Sequence, residues 1–137
     1  MHDSTYTFHA LSAADFSFFE ALLGMNAIHT EEQLIAYGHD ETEDLSFPPS
    51  LVVRPENTEE ISKIMAYCHE HGIPVTPAGA RTGLSGGALP IHGGVLLSME
   101  KFNRILNIDE KNHQVTTEPG VITQVLQDAV KEKGLFY

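Results

Sequence analysis

Twelve consecutive residues, Pro77-Ala78-Gly79-Ala80-Arg81-Thr82-Gly83-Leu84-Ser85-Gly86-Gly87-Ala88, hold four of the chain's eleven glycines and limit what it can fold into. Glycine is needed where backbone takes positive φ or approaches a ligand with no Cβ in the way. Successive amides in such turns converge on a concavity that binds anions, phosphate above all. Thr82 and Ser85 can add hydroxyl donors, and Arg81 is the one local positive charge. Arg81 has two readings, a phosphate partner or a brace for the loop's own carbonyls. The loop follows Ile73-Pro74-Val75-Thr76-Pro77, which reads as a strand, and ligands of open α/β sheets bind past the carboxyl ends of strands. It is not a Walker loop, which ends in Gly-Lys-Ser/Thr, nor a Rossmann fingerprint, which runs directly into a helix. A plain link is about four to six residues long, so the loop's length and its Arg, Thr and Ser favour a ligand.

The flanking pattern supplies a strand, helix and strand. Leu51-Val52-Val53 is a short strand closed by Arg54-Pro55. Asn57 with Glu60 caps a helix whose Ile61, Ile64, Met65 and Cys68 recur at helical spacing. It ends at His71-Gly72, and Ile73–Pro77 follows, so the two strands are expected to be parallel. Gly94–Met99 is the next strand. Ile105–Ile108 and His113–Glu118 read as strands joined by the turn Asp109-Glu110-Lys111-Asn112. After the break at Pro119-Gly120, Ile122, Val125, Leu126, Ala129 and Val130 mark an amphipathic helix ending at Gly134. Leu135-Phe136-Tyr137 reads as the opening of a further strand. Upstream, Ser12-Ala13-Ala14-Asp15 starts a helix carrying Phe16, Phe19, Leu22 and Leu23 as far as Gly24. Thr30-Glu31-Glu32-Gln33 reads as a capping box opening a short helix toward Gly38. Residues 39 to 50 read as loop. The expected fold is α+β (α/β-like): a βαβ unit with parallel strands, an antiparallel hairpin and flanking helices. Residues 1–46 are expected to form an N-terminal helical segment and 47–137 the ligand-binding part.

Composition excludes several functions. The chain has 137 residues, enough for one domain, and a net charge of −11. That charge repels nucleic acid and anionic membranes over long range, though it leaves room for a local amide cradle. No apolar run approaches the ~18 residues that span a bilayer, and Met1-His2-Asp3 opens no signal peptide, so a cytoplasmic location is expected. Cys68 is the single cysteine and eight histidines are scattered, which argues against both a disulfide and a metal site.

The loop Pro77 to Ala88 is similar to the pyrophosphate-binding loop of the PCMH-type FAD-binding domain. That domain is shared by vanillyl-alcohol oxidases, D-lactate dehydrogenases and glycolate oxidases. Pro48-Pro49-Ser50-Leu51-Val52-Val53-Arg54-Pro55 resembles the family's first strand and Thr58-Glu59-Glu60-Ile61 its following helix. Glu118-Pro119-Gly120-Val121 resembles its later turn beside the cofactor. Tyr37-Gly38-His39-Asp40-Glu41-Thr42 is like the Tyr-x-x-Asp stretch of the D-lactate and glycolate branch. The resemblance implies the first subdomain of an FAD-binding domain. Ala78 to Thr82 would then donate amides to the FAD pyrophosphate. Gly83, Leu84, Ser85, Gly86 and Gly87 would wrap the same region, Pro77 would lead in, and Pro119 with Gly120 would line the cofactor. It implies a flavin-dependent oxidoreductase acting on D-2-hydroxy acids, with the catalytic residues and metal ligands in a substrate domain this sequence lacks. This chain alone is therefore expected to be inactive. Its expected partners are FAD and either a missing C-terminal half or a second copy; a stand-alone binder of another nucleotide is a weaker alternative.

Other candidates read more simply. Cys68 falls on an apolar helix stripe and reads as a buried thiol. His92 could approach a flavin but reads as a turn residue beside Gly93-Gly94. Asp40 and Glu43 read as an exposed acidic loop rather than a carboxylate pair, and Phe16, Phe18 and Phe19 as helix packing.

Overall fold

The computed structural model describes residues 7–42 and 44–137. The expectations for Met1-His2-Asp3 and Glu43 lie outside the described residues. The architecture is mixed α/β, with a four-stranded, mainly parallel sheet, a separate antiparallel hairpin and flanking helices. This is the α+β (α/β-like) arrangement expected from the sequence.

The sheet contains β1 (Ala27–Ile28), β2 (Leu51–Val53), β3 (Val75–Ala78) and β4 (Val95–Ser98), in the order β1-β2-β4-β3. β2 and β3 both run parallel to β4, and β1 is antiparallel to β2. All residues of β2 and β4 are buried, as expected for strands covered on both faces. The alternation of side chains divides them between two cores. Leu51, Val53, Val95 and Leu97 pack with Phe19, Leu23, Ile64 and Cys68 on one face. Val52, Leu96, Ala78 and Ile28 form a smaller cluster on the other, covered by Leu34, Tyr37 and Ala88.

The helices on the first face are set by their caps. In α1 (Ala13–Leu23), Ser12 and Asp15 form a reciprocal capping box. In α3 (Thr58–His71), Asn57 Oδ1 accepts from the Glu60 amide at 2.9 Å, and Gly72 closes the helix in the left-handed region at φ 63°. Ile64 and Cys68 are buried, but Met65 is 45% exposed and lies off the stripe assigned to it. In α2 (Glu31–Tyr37) the expected capping box does not form, because the Thr30 hydroxyl bonds the Gln33 side chain and no backbone amide. β1 carries no signal in the sequence, being two residues long and defined only by its pairing with β2.

The hairpin of β5 (Ile105–Asp109) and β6 (Gln114–Thr117) is antiparallel as expected. Asp109 holds its turn by accepting from the amides of Lys111 and Asn112. α4 (Thr123–Lys131) buries Leu126 and Val130 and leaves Ile122 and Val125 exposed. Leu135-Phe136-Tyr137 forms no strand. The Leu135 amide turns back to the Val130 carbonyl at 3.0 Å through Gly134 at φ 72°, which is a helix-closing turn and not an extended one.

Candidate functional site

The glycine-rich loop joins the carboxyl end of β3 to the amino end of parallel β4. A parallel connection must cross the whole sheet and needs a dozen or more residues. The loop's length is therefore explained by topology. What topology does not explain is its glycines. Gly86 needs its freedom for a positive φ of 70°, and Gly79 lies 3.4 Å, measured from a virtual Cβ, from the Pro119 carbonyl oxygen. Gly83 and Gly87 have neither reason: their φ is ordinary and nothing lies within 4 Å of where a Cβ would be. Bare glycine facing open space fits a surface that a ligand approaches closely.

The amides support the same picture. Among the described residues, none of the backbone N–H groups of residues 80 to 85 donates to a backbone carbonyl. The Gly86 amide is committed instead, donating to the Thr42 hydroxyl at 2.9 Å. Glu41 donates its amide to the Gly83 carbonyl at 3.1 Å. The segment before β2 thus ties the loop down from outside, and among the described residues its central amides have no partner.

The loop meets a cleft of about 460 Å³ lined by Gly79, Ala80, Glu100, Asn103, Gly120, Ile122 and Val125. The cleft joins the start of the loop, the carboxyl end of β4, the Pro119-Gly120 turn and the first turn of α4. Gly120 is fixed by packing, since a Cβ there would sit 2.3 Å from the Met99 carbonyl oxygen and 2.7 Å from that of Phe102. Its amide donates to the Phe102 carbonyl at 2.7 Å. Just before it, Glu118 accepts from the Arg104 backbone amide and guanidinium. The Arg104 hydrogen bonds hold its carboxyl below the usual range.

The structure therefore brings Gly79, Ala80 and Gly120 to one cleft and places Pro119 against Gly79. Pro77 and Ala78 belong to β3, with Ala78 buried. Thr82, Gly83, Ser85 and Gly87 are exposed along the loop, and Leu84 is 75% exposed. The hydroxyl engaged with the loop amides is that of Thr42, not of Thr82 or Ser85. Among the described residues Arg81 forms no hydrogen bond to a loop carbonyl; its guanidinium lies over the Tyr37 ring, 4.3 Å from the centroid.

Glu100 is the cleft residue that sequence reasoning missed. Its carboxylate accepts from the Tyr37 hydroxyl at 2.9 Å, Arg54 Nη1 at 3.1 Å and the Ser98 hydroxyl at 3.2 Å. Burial pushes its pKa up, but those three bonds and the Arg54 charge prevail and hold it below the ordinary value. The one usable signal was position, two residues past the end of a central parallel strand. The remaining candidates stay apart from the cleft. His92 packs on Phe8 with ring centres 5.0 Å apart. Asp40 accepts from the Thr42 amide through Oδ1 at 2.9 Å, and its Oδ2 is buried without a partner among the described residues. Cys68 is buried, and burial followed by the nearby Asp15 charge raises its thiol to about 11, so it is no nucleophile near neutral pH. Among the described residues there is no cluster of three metal-ligating side chains, and no helix is long and apolar enough to cross a membrane.

Comparison with known proteins agrees with this geometry. The FAD binding domain family matches residues 49–137. Glycolate oxidase subunit GlcD of Bacillus subtilis is 45% identical over 103 residues, which is 75% of this chain and 22% of that protein. The GlcD protein of Escherichia coli K12 is 40% identical over 118 residues, 86% of this chain and 24% of its own length. D-lactate dehydrogenase of Anaerostipes hadrus is 38% identical over 82% of this chain and 22% of its own. Among solved structures, p-cresol methylhydroxylase with substrate bound superposes with a TM-score of 0.76 at 29% identity, over 92% of this chain and 26% of that one. The 4-ethylphenol oxidase of Gulosibacter chungangensis gives 0.77 at 29% identity, over 93% and 27%. The chain thus spans about a quarter or less of the length of these relatives.

Proposed function

Because this chain belongs to the FAD binding domain family, we propose that it holds the pyrophosphate of FAD in the loop Pro77 to Gly87, as the cofactor-binding start of an oxidoreductase acting on D-2-hydroxy acids of the glycolate or D-lactate type. The observation that carries this reading is the pair Gly83 and Gly87, glycines with ordinary φ and nothing beside them, next to amides 80 to 85 that serve no backbone carbonyl. Such amides are hydrogen-bond donors of the kind that bind phosphate oxygens. Pro77 and Ala78 anchor the loop in the sheet. The Ala78 amide is spent on the β4 ladder, so Gly79, Ala80, Arg81 and Thr82 present donors, Gly83, Leu84, Ser85, Gly86 and Gly87 curve around the same anion, and Pro119 with Gly120 forms the opposite lip of the cleft. Residues 47–137 are assigned as this first FAD-binding subdomain. Residues 1–46 are assigned as its N-terminal helical segment, and of its described residues Phe19 and Leu23 share the core.

Bound FAD would supply a hydride acceptor. The contribution of this chain is binding and orientation, with no residue assigned to proton transfer. Ile122 at 63% exposure and Val125 at 52% give the cleft an apolar wall suited to a ring system. The test is direct titration of the purified chain with FAD, followed by calorimetry and by change in flavin fluorescence. Weak, saturable uptake is expected, and no uptake at millimolar FAD overturns cofactor binding by this chain alone.

A second reading has its own observation. Phe136 is fully exposed and Tyr137 is 60% exposed, and with Leu135 they line the same shallow pockets, an apolar patch of the sort that associates. On this reading the chain is a non-catalytic module that pairs with itself or with a catalytic half. Size-exclusion chromatography separates the two, since a concentration-independent monomer counts against self-association.

A further inference from the structure

The loop's one cation is held in an unusual way. Arg81 occupies the left-handed region at φ 57°, a conformation uncommon outside glycine and enriched at functional sites. Asp40 and Glu41 line the same shallow pocket as Arg81, yet Arg81 is in none of the ion pairs formed among the described residues. Its guanidinium lies instead over the Tyr37 ring. A guanidinium on an aromatic face keeps its N–H fork in the plane of the group, where an anion can still reach it.

Tyr37 is itself held at both ends. Its ring packs on the Ile28, Val52, Ala78 and Leu96 cluster. Its hydroxyl donates to Glu100 at 2.9 Å, and Glu100 is fixed by Arg54 and Ser98. The ring is therefore a rigid shelf between the floor of the sheet and the loop. An arginine ordered in advance loses less freedom when an anion arrives.

We propose that Tyr37 is a positioning residue for the anion site, its ring carrying the Arg81 guanidinium beside the loop amides and its hydroxyl, anchored on Glu100, keeping that ring from turning. This rests on the reading of the loop as a pyrophosphate site and adds a residue that touches no ligand.

The test uses the full chain with inorganic pyrophosphate, ADP and FAD as probes. Arg81→Ala is expected to weaken binding about tenfold, the scale of one charge-assisted contact. Tyr37→Leu should weaken it about three- to fivefold, the scale of an exposed cation–π contact, and Tyr37→Phe less than about twofold, because the ring remains. Tyr37→Leu should add nothing in the Arg81→Ala background. A readout that general destabilisation would not mimic is the ring-current shift of the Arg81 Cδ protons in NMR. It should be present in the wild type and in Tyr37→Phe, and absent in Tyr37→Leu; the wild-type measurement depends on no variant folding. A wild-type chain that binds a probe but shows no such shift overturns the role of Tyr37 alone. So does equal weakening by Tyr37→Leu with and without Arg81. A wild-type chain that binds none of the three probes overturns the pyrophosphate reading, and the role of Tyr37 with it.

Discussion

Adding one methyl group at Gly120 should separate the packing role of a glycine from a ligand-facing one. A Cβ at this position would lie 2.3 Å from the Met99 carbonyl oxygen and 2.7 Å from that of Phe102, where ordinary contact begins at 3.4 Å. Both neighbours are backbone, and the Phe102 amide is itself bonded to the Met99 carbonyl at 2.9 Å, so neither can swing aside. The turn must retreat by roughly 1 Å, a shift of the kind that costs about 1–3 kcal/mol when a packed site is overfilled. The same retreat stretches the 2.7 Å bond from the Gly120 amide to Phe102, adding about 0.5–1.5 kcal/mol. The total, about 1.5–4.5 kcal/mol, corresponds to a fall in Tm of roughly 10 °C for a chain of this size. Thermal melting followed by circular dichroism measures it. Gly83→Ala is the control: with nothing within 4 Å and an ordinary φ, its Tm should stay within about 2 °C of wild type or rise slightly. Both variants should weaken pyrophosphate binding, the first by moving Pro119 from Gly79 and the second by placing a methyl on the ligand surface. A Gly120→Ala protein melting within about 2 °C of wild type refutes the packing argument. A Gly83→Ala protein melting as low as Gly120→Ala refutes the claim that Gly83 faces open space.

Three further outcomes follow from named contacts. Cys68, buried with its thiol raised to about 11, should resist a water-soluble disulfide reagent at pH 8 and react stoichiometrically once urea unfolds the chain; fast reaction in the native state contradicts its burial. Glu100 has its pKa lowered in the fold, so its contribution is present above the ordinary carboxylate value and is lost as pH falls through the folded one. The gap in urea midpoint between wild type and Glu100→Gln should accordingly narrow on acidification, and a gap constant with pH rules this out. Asn57→Ala removes the 2.9 Å cap at the Glu60 amide and should destabilise the chain by about 1 kcal/mol in urea titration; no change would mean the α3 start is held by tertiary packing alone.

Features carried by neighbouring residues were legible in the sequence. Asn57 and Glu60 marked the start of α3, Gly72 its end, and Leu51-Val52-Val53 a short strand. The glycine loop was legible as a candidate anion site, although its length proved to be the demand of a parallel crossover. Features that depend on distant partners were not legible. β1 exists only because Ala27 and Ile28 meet Val53 and Val52. The Thr30 hydroxyl donates to the Gln33 side chain, and its oxygen accepts from no backbone amide at the helix start. Ile61 and Met65 sit one turn apart on the same helix, yet only Ile61 packs against the core. Tyr37 and Glu100 are separated by 63 positions, and nothing local marks them as partners. The close approach of Gly120 to Met99 and Phe102 likewise arises from the tertiary path.

Pro77 also has a consequence for how the sheet can grow. β3 is an outermost strand, and the carbonyls of Pro74 and Ala78 both accept from β4. Since N–H and C=O of one residue point the same way in a strand, the even-numbered residues face β4 and Pro77 faces the open edge. A strand trying to add there would find a ring where a donor should be. The edge is thereby blunted against stray pairing with other chains. A strand added at this edge would lose the ladder bond at Pro77, immediately before the glycine loop begins.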